Sequence, residues 1–226
     1  MSALRSLLRP PSTNYGLHAL RISPYTFLAE GAYVLDVGAK QRGGGYWKGV
    51  ERLRVISMDL IPAPGVNLMG DAHTIPLASA SVAAVVCVSV LMYTRNPAEV
   101  VAELGRVLKP GGILYLSAPF VYRYAPDGVD RFRFSVGGLK ALAADFEEIQ
   151  CGFNRGPAST MADMLSHFLA ILTCFNNTRL FNVLVDVYQW GLFPLKYLDR
   201  IVGRYDVAQF IYSGAFFMGR KPATPE

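Results

Sequence analysis

Three aspartates stand where their carboxylates could grip a ligand: Asp36 in "VLDVG", Asp59 in "VISMDL" and Asp71 in "GDAHTIP". Asp36-Val37-Gly38 closes one β-branched run, and Asp59 closes the next, 21 positions after Gly38. That spacing is one strand–helix–strand unit, and a carboxylate so placed can accept two hydrogen bonds from a ribose diol. Asp71 follows a further short run and can accept from an adenine amino group. Three carboxylates around one crevice suit a ligand with a diol, amines and a positive centre. They suit a bare pyrophosphate poorly. The glycines agree: Ala39-Lys40-Gln41-Arg42 separates Gly38 from Gly43, so no G-x-G-x-x-G forms, and Lys40 lacks the neighbours of a phosphate loop. Lys40 can meet a ligand carboxylate or extend into solvent.

The elements that must position these groups are readable in the pattern. Strands are expected at 33–37, 53–59, 66–71, 82–89 and 113–119, then at 146–153 and within 208–222. Val100, Val101, Leu104, Val107 and Leu108 recur at helical spacing. Asn96 caps that helix, Pro97 opens it, and Pro110-Gly111-Gly112 is expected to end it. A second helix is expected in "VGGLKALAAD". Residues 72–94 carry no formal charge, but only Val82–Met92 is densely apolar, which fits a strand buried on both faces better than a membrane span. The fold class is therefore α/β: a Rossmann-like, doubly wound, mostly parallel seven-stranded sheet with a helical insertion before the last strand. The loops after 37, 59, 71 and 89 should open into one crevice at the strands' carboxyl ends.

Composition narrows the function. The chain has 226 residues, is 52% hydrophobic and 17% charged, and so can bury an ordinary core. A formal net charge of +5 is spread in pairs without a basic run, so no nucleic-acid partner is expected. Cys87, Cys151 and Cys174 have no metal-binding spacing, so no metal is expected. Residues 1–30 read as an N-terminal helical, amphipathic segment without a signal-peptide core. The expected location is cytoplasmic, with a place at the membrane periphery as the variant.

The ordered pieces "VLDVGA", "VISMDL", "GDAHTIPLASASVAAVVC" and "ELGRVLKPGGILYLSAPF" resemble a class I S-adenosylmethionine-dependent methyltransferase of the type 11 small-molecule kind. The resemblance implies S-adenosylmethionine as cofactor. It assigns Asp36, Gly38, Ala39 and Lys40 to the methionine end, Asp59 and Leu60 to the ribose, and Asp71 and Ala72 to the adenine. Cys87, Val88 and Ser89 would line the cofactor beneath the methyl group. Two departures stand out. A lysine replaces the family's usual glycine at position 40, and Met92-Tyr93 replaces a Glu-His pair. The acceptor implied is a small or lipid-like molecule, and the catalytic candidates are Tyr93 and His73. The rival reading is a non-catalytic cofactor-binding partner or scaffold of the same fold.

On the substrate side stand Tyr46 and Trp47, then a polar-aromatic loop with Tyr122, Arg123, Tyr124, Asp127, Asp130, Arg131 and Arg133. Its arginines can receive an anionic group or hold the loop by internal ion pairs. One domain over 1–226 is expected: a cofactor-binding core at 31–155, an apolar helical cap at 156–205, and a last strand and tail at 206–226. Thr160 and Asp163 resemble a capping box. Met161, Met164, Leu165, Phe168, Leu169 and Leu172 form one broad apolar face, expected to pack on the sheet. Residues 157–205 also admit a homodimer face or a membrane-surface contact.

Overall fold

The computed structural model describes Pro10 and residues 28–41, 51–125 and 128–223. They form a seven-stranded sheet and a helical region, divided between two compact units. Among described residues, one unit holds 28–120, 124–152 and 215–223, and the other 121–123 and 153–214.

The strands are β1 (Tyr33–Val37), β2 (Arg54–Asp59), β3 (Leu68–Met69), β4 (Val82–Val88), β5 (Leu108–Pro119), β6 (Glu147–Arg155) and β7 (Gly214–Arg220). Their order is β3-β2-β1-β4-β5-β7-β6. The pairs β1–β2, β1–β4, β2–β3 and β4–β5 are parallel. The Gly111 N–H donates to the Lys221 carbonyl and the Ser117 hydroxyl to the Ala215 carbonyl, so β7 runs antiparallel to β5. Successive residues Val34, Leu35, Asp36 and Val37 are all buried, so both faces of β1 are covered. The same holds for Ala84–Cys87 in β4, which accounts for its uncharged run. On one face Val34, Val86, Ile113, Phe216 and Met218 pack together.

Helix α1 (Pro97–Val107) buries Val100, Val101, Leu104 and Val107, and Asn96 Oδ1 accepts from the Ala98 and Glu99 amides as expected of its cap. The structure corrects its end. The helix stops at Val107, and Pro110-Gly111-Gly112 lies inside β5. There the register slips: Val82 pairs with Leu108, but Ala84 pairs with Ile113. Gly111 takes φ +74°, and a Cβ on Gly112 would lie 2.8 Å from the Lys109 carbonyl oxygen, so the bulge needs both glycines. Lys221 Nζ satisfies the carbonyls left at the helix end, those of Gly105 (2.7 Å) and Leu108 (2.9 Å).

Two strands are shorter than expected. β3 keeps only Leu68–Met69, because the Asn67 side chain does part of a strand's work: Oδ1 accepts the Ser57 amide and Nδ2 donates to the Val55 carbonyl. The last strand begins at Gly214, since Asp206–Phe210 is a 3-10 turn. Helix α2 (Val136–Leu142) starts at Ser135, whose hydroxyl accepts the Gly138 amide.

The helical unit contains α3 (Pro157–Thr173), α4 (Thr178–Leu192) and the one-turn α5 (Asp199–Val202). The Thr160–Asp163 capping box is not formed. Helix α3 starts at Pro157, and the Thr160 hydroxyl bonds back to the Gly156 carbonyl. Its free amides at Ala158 and Ser159 are met instead by the buried carboxylate of Asp199, at 2.8 and 2.9 Å. The expected apolar face is divided: Met164, Leu165 and Leu169 are half-buried. Buried on α3 are Ser159, Thr160, Ala162, Ser166 and Ala170, whereas Met161, Phe168 and Leu172 are exposed.

Candidate functional site

The parallel register brings the carboxyl ends of β1, β2, β3 and β4 to one edge of the sheet, with β1 central. Asp36 pairs in register with Ser57, two residues before Asp59, and Asp59 with Met69, two residues before Asp71. Asp36, in β1, is buried with 1% exposure. At the end of β1, Gly38 adopts φ +73° and donates to the Met58 carbonyl at 2.8 Å. An added Cβ would lie 2.2 Å from Val90 Cγ2, so no larger residue fits unless Val90 moves.

Asp59 is held at the end of β2 by two amides. Lys40 N–H donates to Oδ2 and Ile61 N–H to Oδ1, both at 3.0 Å. Each carboxylate oxygen has capacity for two hydrogen bonds, so each retains one acceptor position. Two such positions on a fixed carboxylate suit a vicinal diol. The role of Lys40 thus begins with its backbone: the amide fixes Asp59 while the side chain is exposed. Ala39 is buried, and Leu60 is exposed beside the acid.

At the end of β3, Asp71 makes a tight local turn. Its Oδ1 accepts the His73 backbone amide (2.9 Å) and faces His73 Nδ1 (2.7 Å). The amide, assisted by the imidazole, holds the Asp71 carboxyl below the usual carboxylate range against the opposing effect of burial. His73 Nε2 accepts the Asn96 amide at 3.4 Å. That tautomer puts the proton on Nδ1, pointing at Asp71. Nε2 therefore ties this loop to the start of α1, while Nδ1 holds the turn at Asp71. Ala72 is buried beside them.

At the end of β4, Cys87 is fully buried and Ser89 has φ +57°, a left-handed geometry that turns the chain sharply. The Ser89 amide donates to the Ser117 carbonyl at 2.7 Å. A single turn, Leu91–Tyr93, follows. The loop at 128–132 is fastened to it. The Arg131 and Phe132 amides donate to the Met92 carbonyl, and the Arg131 guanidinium to the Tyr93 carbonyl at 2.8 Å. A Cβ on Gly128 would lie 3.0 Å from Tyr93 Cδ1, so the ring lies directly against this loop.

The other loop residues divide by role. Asp130 pairs with Arg133 and also accepts the Ala125 amide at 2.8 Å, and the guanidinium holds its carboxyl below the ordinary range. These charges brace the loop. Tyr124 is exposed. Tyr122 and Arg123 belong to the helical unit, where the Tyr122 ring lies 5.1 Å from the Arg123 guanidinium carbon and 6.0 Å from that of Arg155. Tyr46, Trp47 and Asp127 lie outside the described residues.

Sequence reasoning missed a brace behind the crevice. Glu103 of α1 accepts the Ile75 amide (2.7 Å), and Arg106 donates to the Ile75 carbonyl (3.0 Å) and pairs with Glu103 (2.7 Å). Glu103 and Arg106 stand one turn apart within "ELGRV", a spacing that places them side by side on the helix. Val90 over Gly38 had no comparable signal.

Residues 51–116 match a family model described as "Methyltransferase domain". A curated Streptomyces fradiae protein, an uncharacterized 37.1 kDa protein in transposon TN4556, is 34% identical over 109 residues, covering 48% of this chain. The matched stretch spans 28% of that relative's length. Among solved structures, the cyclase SpnF is similar with a TM-score of 0.56 and 18% identity over 98% of this chain and 81% of its own. A Haemonchus contortus phosphoethanolamine N-methyltransferase 2, in complex with phosphomonomethylethanolamine and S-adenosylhomocysteine, gives 0.55 and 15% over 86% of this chain and 50% of its own. The structural likenesses concern the fold, and the family model covers the stretch from the turn before β2 into β5. The stretch 51–116 thus resembles a methyltransferase domain, and the fold is the one these solved structures share.

Proposed function

We propose that this chain binds S-adenosylmethionine at the carboxyl edge of β1, β2 and β4 and transfers its methyl group to a small or lipid-like acceptor. The observation that carries the reading is the Asp59 carboxylate, fixed by the Lys40 and Ile61 amides with one acceptor position left on each oxygen. Asp59 would accept from the ribose hydroxyls. Gly38 would let the ligand's methionine end approach the backbone once Val90 shifts aside. Asp71, with Ala72, would accept from the adenine amino group, and Cys87–Ser89 would form the floor. When bound, the cofactor supplies a methyl group already activated on a sulfonium. The chain's own work is then to align the acceptor in line with that group and to exclude water. Tyr93 is the candidate base for a hydroxyl acceptor. His73, with both nitrogens committed, is a positioning residue for Asp71. Tyr124 is the exposed substrate-side candidate.

Two observations favour a second reading. Val90 covers Gly38, and the histidine nearest the crevice is tied up, as in a binding partner or scaffold without chemistry of its own. Calorimetric titration with S-adenosylmethionine and S-adenosylhomocysteine, on wild type and Asp59→Ala, tests the site. The substitution should weaken binding about a hundredfold or more, the loss of two charge-assisted hydrogen bonds. Binding followed by methyl transfer in an acceptor screen is the expected result. Binding without transfer to any acceptor favours the scaffold. A folded wild type that binds neither compound overturns both readings.

A further inference from the structure

Helices α3 and α4 form an antiparallel hairpin turned inside out. On α3 the buried stripe is small: Ser159, Ala162, Ser166 and Ala170, at spacings of three and four. The large apolar residues lie on the exposed side, with Phe168 at 55%, Leu172 at 60% and Phe175, in the connecting turn, at 88%. Helix α4 repeats this. Only Val185 is buried, while Leu180, Val183, Val187 and Trp190 form an exposed stripe at heptad spacing. A helix that packs on a water-soluble core buries its large apolar residues; these two half-bury Met164, Leu165, Leu169, Phe181 and Leu184 and expose most of the others. Contiguous exposed apolar surface marks a docking site.

The charges say what docks. Most acids are covered: Asp199 is buried against the start of α3, Asp163 and His167 face each other at 3.9 Å, both largely covered, and Asp186 on α4 is half-buried. Within 157–211 the exposed charged residues are Arg179, Arg200 and Arg204 against Asp206 alone. Arg179 opens α4 next to the hairpin turn. Arg200 and Arg204 lie beyond its far end, among exposed Tyr197, Ile201 and Tyr205. An apolar face with aromatic side chains and cations at both ends matches a bilayer interface, where apolar groups enter the acyl boundary and cations and aromatic rings lie at headgroup level. Pairing with a second copy would bring cations to a shared rim with only Asp206 to offset them. Among the described residues no helix is long and apolar enough to cross a membrane.

We infer that the hairpin and the segment through Tyr205 dock flat on an anionic lipid surface. This inference is independent of the methyl-transfer reading, because its test uses no cofactor. The full chain is floated with vesicles of phosphatidylcholine alone and with added phosphatidylglycerol. The Trp190 emission is followed in a Trp47→Phe background. The expected result is binding to the anionic vesicles that weakens with salt, with a blue shift of Trp190. Arg200→Gln with Arg204→Gln should weaken that binding about tenfold or more, at a few-fold per cation. Phe168→Ser with Val187→Ser, both at exposed sites, should weaken it on either vesicle. Equal binding to both vesicle types, indifference to both double variants, or a lipid-free dimer that does not bind vesicles overturns the proposal.

Discussion

Helices α1 and α3 are amphipathic in opposite senses. Helix α1 turns Val100, Leu104 and Val107 inward, leaves Glu99 exposed and engages Glu103 and Arg106 with the Ile75 backbone. Helix α3 turns Ser159, Ala162, Ser166 and Ala170 inward and Met161, Phe168 and Leu172 outward. Both have stripes at the same period. The period reveals that a helix has two faces; it does not reveal which face meets protein. On α1 aliphatic burial is the stabilising term. On α3 small residues let backbones approach closely, and the apolar area remains in contact with solvent.

The sharpest way to break this contrast is a pair of substitutions. Leu104→Ala empties a fully buried site and should cost about 2–5 kcal/mol by chemical denaturation, whereas Phe168→Ala should stay within about 0.5 kcal/mol of wild type. A large loss at Phe168 would mean that its side chain is packed in the folded chain. Next comes Asp199→Ala, which strands the part-buried Ala158 and buried Ser159 amides at the start of α3 and should cost about 2 kcal/mol, seen as earlier melting of the far-ultraviolet helical signal. The smallest effect sharpens the sheet side. The Asp130 carboxyl is held below its ordinary value, so its pairing with Arg133 contributes stability that is complete above the usual carboxylate range. That contribution is lost as pH falls through the depressed value. Asp130→Asn should therefore lower the melting temperature near neutrality and flatten its decline in acid. A parallel decline in both proteins would remove Asp130 from the acid response.

The sheet was legible because each strand's pattern and its partner's agree. Val34–Val37 and Ala84–Cys87 are buried on both faces, which a continuous β-branched run already signals. Asp59 was legible for a similar reason, since it closes the apolar run that becomes β2. What escaped depends on distant partners. Asp199 caps a helix that begins 42 positions earlier, at Pro157, so the local Thr160–Asp163 pair misled. The glycines at 111 and 112 looked like a helix stop, and their real constraint is a carbonyl across a bulge. The loop at 128–133 was open to two readings, and Asp130 with Arg133 is committed to holding it.

The position of β7 has a consequence for how the protein is made. β7 lies between β5 and β6, so β6 has no strand to pair with until the end of the sheet sequence has been synthesised. A ribosome-bound chain can assemble β1 to β5 by itself, but β6 and its hydrogen-bonding edge must wait. During that interval the exposed edges of β5 and β6 are open to pairing with other chains. Insertion of β7 closes them both at once, and with it Lys221 reaches the end of α1. Adding β7 is thus the step that removes two open strand edges together.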